Sequence, residues 1–403
     1  MPPPPPLLPP RAAAGAGPRR RRGAAFRARP RRSLTALPRP ASPARRDNPP
    51  PQFAYTGEGL REHAGEVAEA LFEAATQPKL WDHEVAEALH ELEALLALHA
   101  ADPALVVSEG VHAAAFGSTS PLGRSLLATP AQLHGIDAEA VRSFLGGRFL
   151  GSNMVLSATN VEHAALAAYA ENALGGVPQG ASAASPRAAV VGGESLTRTE
   201  GGAAHVALAL PAPAQGSAQF RALGVLQALL GSVGPRGGAP GHARPGYLRQ
   251  SRLGAGAKGE AHSFIRSATA FAYSYSDAGL LGIQGSCADH EAGQFVAAAV
   301  GFLKDAAGAK PIQAAELERA KRASKLAFLA DVEGRAGARD EAGTAPLLGR
   351  ASGTAAVLKA IDAVTAEQVA AVARTALQGA PALAATGSLA TIPRYDVLAN
   401  MLR

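Results

Sequence analysis

Two stretches decide how this chain is read: VTAEQVAAVARTALQGAPALAATGSLAT at 364–391 and IDAEAVRSFLGGRFLGSNMVLSATNVEH at 136–163. Each opens on a capping residue, Thr365 or Asp137, with a Glu two positions on, and each closes in a short apolar run. That pattern predicts an N-capped helix followed by a strand, twice over. Glu139 corresponds to Glu367 and Val141 to Val369 at one spacing of 228 residues.

Working outward, HEVAEALHELEALLAL from His83 matches QAAELERAKRASKLAFL from Gln313 at nearly the same offset, both with helical periodicity. FAYT at Phe53 answers FAYS at Phe271, here 218 residues apart. Matched order at a nearly fixed spacing indicates two homologous domains. Each copy mixes strand with helix, so the expected fold class is α+β, two homologous sheet-plus-helix domains. The second copy holds AAHVALAL, QFRALGVLQALLG and a Gly/Pro-rich loop before Phe271, whereas the space before Phe53 is rich in Pro and Arg. The N-terminal domain is therefore expected to lack its opening strands and first helix. The expected boundaries are a leader at 1–52, an incomplete N-terminal domain at 53–174, a linker at 175–188 and a C-terminal domain at 189–403.

Charge separates the leader from the rest. Residues 1–46 carry twelve Arg and no Asp or Glu, which leaves 27 basic against 33 acidic residues in the remainder. A nucleic-acid protein places its basic face on its folded part, so this distribution argues against nucleic-acid binding. An Arg-rich, Ser-containing, acid-free leader has the composition of an organelle transit segment. Cys287 is the one cysteine, which excludes an internal disulfide and a cysteine zinc cluster. Every long apolar run is broken by charge, Gly or Pro, so no membrane span is expected.

FAYTGEGLREHAGEVAEALFEAATQPKLWDHEVAEAL, VSEGVHAAAFGSTSPLGRSLL, VVGGESLTRTEGGAAHVALALPAPAQGS, SYSDAGLLGI and ALAATGSLATIPRYDVL resemble the mitochondrial branch of the pitrilysin-like metallopeptidase superfamily. Within it they are most similar to the core protein 2 branch of ubiquinol–cytochrome c reductase, respiratory complex III. The resemblance implies a clamshell of two domains. It implies a non-catalytic structural subunit on the matrix side of the mitochondrial inner membrane, peripheral to the bilayer. The implied partners are core protein 1 or a processing-peptidase β-like subunit, with the other complex III subunits. Two alternatives stand beside it: the presequence-binding α subunit of the mitochondrial processing peptidase, and a truncated family member without function.

Active members of that superfamily carry His-x-x-Glu-His, two imidazoles for zinc and a Glu as general base. No such motif occurs in this chain. The segment 159–163 has Thr159 where the first His would stand, and His83 and His90 lie seven apart without a third ligand. Glu91 and Glu93 read as an exposed helical face. No catalytic, metal or cofactor-binding residue is therefore assigned, and no cofactor is expected.

GAGAKG at 254–259 formally matches G-x-G-x-x-G, but what precedes it reads as polar helix where a dinucleotide site needs a strand. Asp277, at a tempting distance, falls within a strand pattern. By the same resemblance, the Gly/Pro-rich loop at 231–251 supplies the candidate peptide or partner contacts, Gly231, Gly234, Gly237, Gly238 and Gly241. Its interrupting prolines, Pro235, Pro240 and Pro245, favour a plain surface loop. His112 lies three residues from Glu109, helical neighbours in a run of small residues. This segment is expected to pack and position, with no chemistry.

Overall fold

The computed structural model of the chain describes residues 54–126, 128–180, 187–234, 250–257, 262–348 and 353–403. The N-terminal part is helical: α1 (Ala64–Thr76), α2 (Asp82–Ala100), α3 (Pro103–Phe116), α4 (Pro130–Leu133), α5 (Ala138–Gly146) and α6 (His163–Leu174). Strands β1 (Gly193–Arg198) and β2 (Ala203–Pro211) follow, then α7 (Phe220–Leu230), β3 (Ser232–Val233) and α8 (Arg252–Gly256). The hairpin β4 (Ser267–Ser274) and β5 (Gly279–Ala288) leads to α9 (Ala292–Lys304), α10 (Ala314–Glu333), α11 (Arg335–Leu347) and α12 (Thr354–Asp362). The chain closes with α13 (Ala366–Leu377), β6 (Ala382–Gly387) and α14 (Tyr395–Leu402).

The strands form one six-stranded sheet in the order β1-β6-β2-β5-β4-β3. β1 runs parallel to β6 and the other neighbours are antiparallel, so the class is α+β as expected. β2 and β6 sit inside the sheet and are buried on both faces, which is why they read as continuous apolar runs. Alternation still sorts their side chains. Val206, Leu208, Leu210, Leu281, Ile283 and Leu383 point to a face covered by α7, α9 and α13, where they meet Leu226, Phe295 and Val369. Each large apolar side chain buried there contributes roughly 1.5–3 kcal/mol.

The expected caps are present. Asp137 accepts from the Ala140 N–H at 2.7 Å, and the Thr365 hydroxyl accepts from Gln368 at 3.2 Å. After α13 the predicted strand forms as β6, inserted between β1 and β2. After α5 it does not: residues 154–158 are irregular, as are 54–60 following Phe53, which itself lies outside the described residues. The physical difference is the neighbour. A strand is held by ladder hydrogen bonds to another strand, and β6 has two such neighbours while the earlier copy has none among the described residues.

The helices of the N-terminal part consequently bury little. α1 buries Ala68, Phe72 and Ala75, α5 buries Ala138, and neither α2 nor α6 has a buried residue. The linker is irregular where described, at 175–180 and 187–188, its remaining residues lying outside the described set.

Candidate functional site

α3 is the exception among the early helices, because it lies across the second face of the sheet. Val107, Val111, Ala114, Ala115 and Phe116 pack there against Ala207, Ala209, Phe271, Leu280, Ala382 and Ala384. The sequence prepares this contact with small residues on both sides. A Cβ on Gly110 would stand 3.0 Å from Ser195 Oγ and 3.2 Å from Ala384 Cβ, so a larger residue there pushes the helix off β1 and β6. Asp102 caps the helix through the Ala104 N–H at 2.9 Å. The chain returning toward β1 is tied to the end of α3, with Val191 N–H donating to the Ala115 carbonyl at 2.8 Å.

One polar cluster is enclosed in this interface. His112, 4 % exposed, places Nδ1 2.7 Å from the Ser108 carbonyl and Nε2 2.6 Å from the Tyr275 hydroxyl. Because a carbonyl only accepts, Nδ1 carries the proton, and neutral Nε2 accepts from Tyr275. Ser108 Oγ lies 3.4 Å from the Tyr273 hydroxyl, and the Tyr273 ring centroid is 4.9 Å from that of His112. Glu109 accepts from the Leu126 N–H at 3.1 Å, holding the segment that follows the helix. The arrangement joins a helix to a sheet. That contact is the packing expected for this segment.

The other sequence-predicted residues are dispersed. His83 and His90 sit on exposed α2, where His90 Nδ1 is 3.6 Å from Glu93 and the His83 ring lies tilted 5.4 Å from that of Trp81. Glu91 is exposed on the same helix, and His163 opens α6 after Asn160, whose φ is +63°. No group of three metal-ligating side chains occurs among the described residues. The first half of GAGAKG falls in the last turn of the short helix α8, whose N-terminus is capped by Ser251. Asp277 is corrected: it lies in the β4–β5 turn rather than a strand, and its carboxylate accepts from Ala188 N–H at 2.7 Å. Gly231 terminates α7 with φ +70°, where a Cβ would stand 2.3 Å from Ser251 Cβ. Gly234 follows β3 in a bend, and Gly237, Gly238 and Gly241 lie outside the described residues.

Sequence reasoning missed the tyrosines and one buried ion pair. Tyr273 and Tyr275 stand in AYSYSD, whose alternation was legible, but their partners lie more than 160 positions away. Arg252, 5 % exposed in its side chain, grips Glu316 with two hydrogen bonds of 2.8 and 3.1 Å. Burial opposes ionisation of Glu316, but the hydrogen bonds and charge of Arg252, a backbone bond at Gln313 and the charge of Lys310 outweigh it. The carboxyl therefore sits below its ordinary value of 4.5. Burial, with Glu291 and Asp289 adding to it against Arg266, pushes the Cys287 thiol up to about 11, which makes it inert rather than reactive. Burial likewise lowers the pKa of His205, against the opposing charge of Asp102.

A sheet covered by helices on one face and by a single early helix on the other, its interface filled with packing residues, defines a structural module of peptidase-like architecture. The comparisons agree. A family model described as the Peptidase M16 inactive domain matches residues 135–324. The chain is 30 % identical over 352 residues to the mitochondrial-processing peptidase subunit alpha of Solanum tuberosum, spanning 87 % of this chain and 68 % of that protein. It is also 30 % identical over 348 residues to cytochrome b-c1 complex subunit 2 of Rattus norvegicus, spanning 86 % and 74 %. A chain of complex III2 from Candida albicans shares the fold at a TM-score of 0.69 and 17 % identity, over 85 % of this chain and 81 % of that one. The chain belongs to the peptidase M16 family, among relatives of processing-peptidase subunit alpha and cytochrome b-c1 subunit 2.

Proposed function

We propose that this chain is a non-catalytic structural core subunit of mitochondrial ubiquinol–cytochrome c reductase. The observation that carries the reading is the match to cytochrome b-c1 subunit 2 across 74 % of that protein, joined to a domain described as inactive. The absence of His-x-x-Glu-His from these 403 residues supports it, as does the use of the His112 cluster for helix packing. The proposed domains are those expected at 53–174 and 189–403, with residues 1–52 as a transit segment. The proposed position is the matrix side of the mitochondrial inner membrane, held by the other complex III subunits and by core protein 1 or a processing-peptidase β-like subunit. Among the described residues no single helix is long and apolar enough to cross a membrane.

The match to processing-peptidase subunit alpha favours a second reading, a presequence-binding subunit that acts beside a zinc-bearing partner. In that reading the glycines of the loop after α7, Gly231 to Gly241, handle the peptide. Mass spectrometry of the native complex III band from the source organism separates the two. Peptides from 54–403 in stoichiometric amount support the core subunit. Their absence there, with recovery beside the processing peptidase, supports the second reading.

A further inference from the structure

The most acidic part of the chain, residues 54–101, buries little beyond Ala68, Phe72 and Ala75. Residues 54–101 hold ten Asp and Glu against Arg61 and Lys79 as the basic side chains. On α1 and the turn before it, Glu62, Glu66, Glu69 and Glu73 recur at intervals of four, three and four, a row about 16 Å long. It runs along the side away from Ala68, Phe72 and Ala75. Glu84, Glu87 and Glu91 make a second row on α2, and all seven are exposed. Glu62 and Glu66 lean on His63 at 3.8 and 3.4 Å. Among the described residues Glu69, Glu73, Glu84, Glu87 and Glu91 have no ion-pair partner. Like charges three and four apart destabilise their own helix, so a cationic occupant relieves these rows. α2 also leaves apolar surface uncovered, with no buried residue and with Trp81 and Leu98 exposed at its ends.

We infer that the occupant is this chain's own leader, residues 11–46, docking in cis on the α1–α2 face. Three observations select it over another partner. Residues 11–46 carry all twelve leader arginines and no acid, the complement of the seven exposed glutamates in the α1 and α2 rows. Phe26, Leu34 and Leu37 are interleaved with those arginines and suit the uncovered apolar surface of α2. Arg46 stands eight residues before Ala54, an extended reach of about 28 Å, enough to lay the leader back along either row. Tethering gives the leader an effective concentration on the order of millimolar, far above that of a free peptide. The consequence is a precursor whose targeting charge is masked until it is displaced or removed. The docking itself stands on charge and reach; the masking of a targeting signal rests in addition on the transit segment proposed above.

Trypsin tests it on the full chain, since it cuts at arginine only where the backbone is free. Initial cutting in the leader is followed by intact mass at about 10 mM salt, where the Debye length is about 30 Å, and at about 1 M, where it is about 3 Å. The wild type is compared with E69Q/E73Q/E84Q/E87Q/E91Q. The expected result is leader cutting at least about fivefold slower in the wild type at low salt, independent of protein concentration, and equal at high salt. Equal rates at low salt overturn the proposal. Protection that grows with protein concentration also overturns it, by assigning the leader to a second copy. Should the quintuple variant lose its helical circular dichroism, R19Q/R20Q/R21Q/R22Q alters no residue of the described fold. Faster cutting at its remaining leader arginines supports docking, and an unchanged rate contradicts it.

Discussion

The two copies of the helix–strand pair meet different surroundings. In 364–391, α13 buries Val369, Ala370, Val372, Ala373 and Ala376, and every residue of β6 is buried. In 136–163, α5 has the same kind of cap and an equally amphipathic sequence, yet it buries Ala138 and leaves Phe144 exposed. The following apolar run, Met154 to Leu156, has no ladder partner among the described residues. Local pattern thus specifies the helix in both places, because its hydrogen bonds are internal. It specifies the strand only where neighbouring strands complete the layer. The apolar stripe that finds a full sheet in the early part of the chain is α3, and the sheet it finds belongs to the later part.

The largest expected effect comes from the later copy. Leu383→Asp places an unpaired charge at the sheet centre and abolishes cooperative unfolding as seen by circular dichroism. Breaking the buried pair comes next. Arg252→Met leaves Glu316 buried without its cation and costs about 3–5 kcal/mol in urea unfolding. The pair also fixes a pH dependence. Glu316 has a depressed folded pKa, so its stabilisation is complete above 4.5 and is lost as pH falls through the folded value. Glu316→Gln flattens the acid limb of the stability profile, and a limb unchanged in slope contradicts the assignment.

Intermediate effects probe α3. Gly110→Leu forces the helix from Ser195 and Ala384 and costs about 1–3 kcal/mol. Tyr275→Phe removes the partner of His112 Nε2 and costs about 1–2 kcal/mol. The smallest effect falls on the early copy: Phe144→Ala shifts unfolding by less than about 0.5 kcal/mol. A Phe144 effect as large as that of a core residue breaks the contrast between the copies.

Much of this was readable in advance, and the failures share a cause. Caps at Asp137 and Thr365, the helices from His83 and Gln313, and β2 and β6 followed from periodicity and turn chemistry, which are local. The early strands were misjudged because their pairing depends on distant chain. The segment containing His112 was correctly read as packing, but its surface was not, since Tyr275 lies 163 positions away. Gly110 carried a signal in hindsight: a glycine inside an apolar helix marks a close approach. The Arg252–Glu316 pair offered none, as both residues sit in segments whose composition suits a solvated face.

The account's central claim is that α3 belongs energetically to the later sheet while α2, α5 and α6 have no core of their own. Native-state hydrogen exchange on the full chain tests it directly. The predicted result is that amides of Val111, Ala114 and Ala115 exchange by the same global opening as those of Leu208, Ile283 and Leu383. Amides of α2 and α5 then exchange at least about a hundredfold faster. Exchange of α3 at the rate of α2, with the sheet still protected, would contradict it.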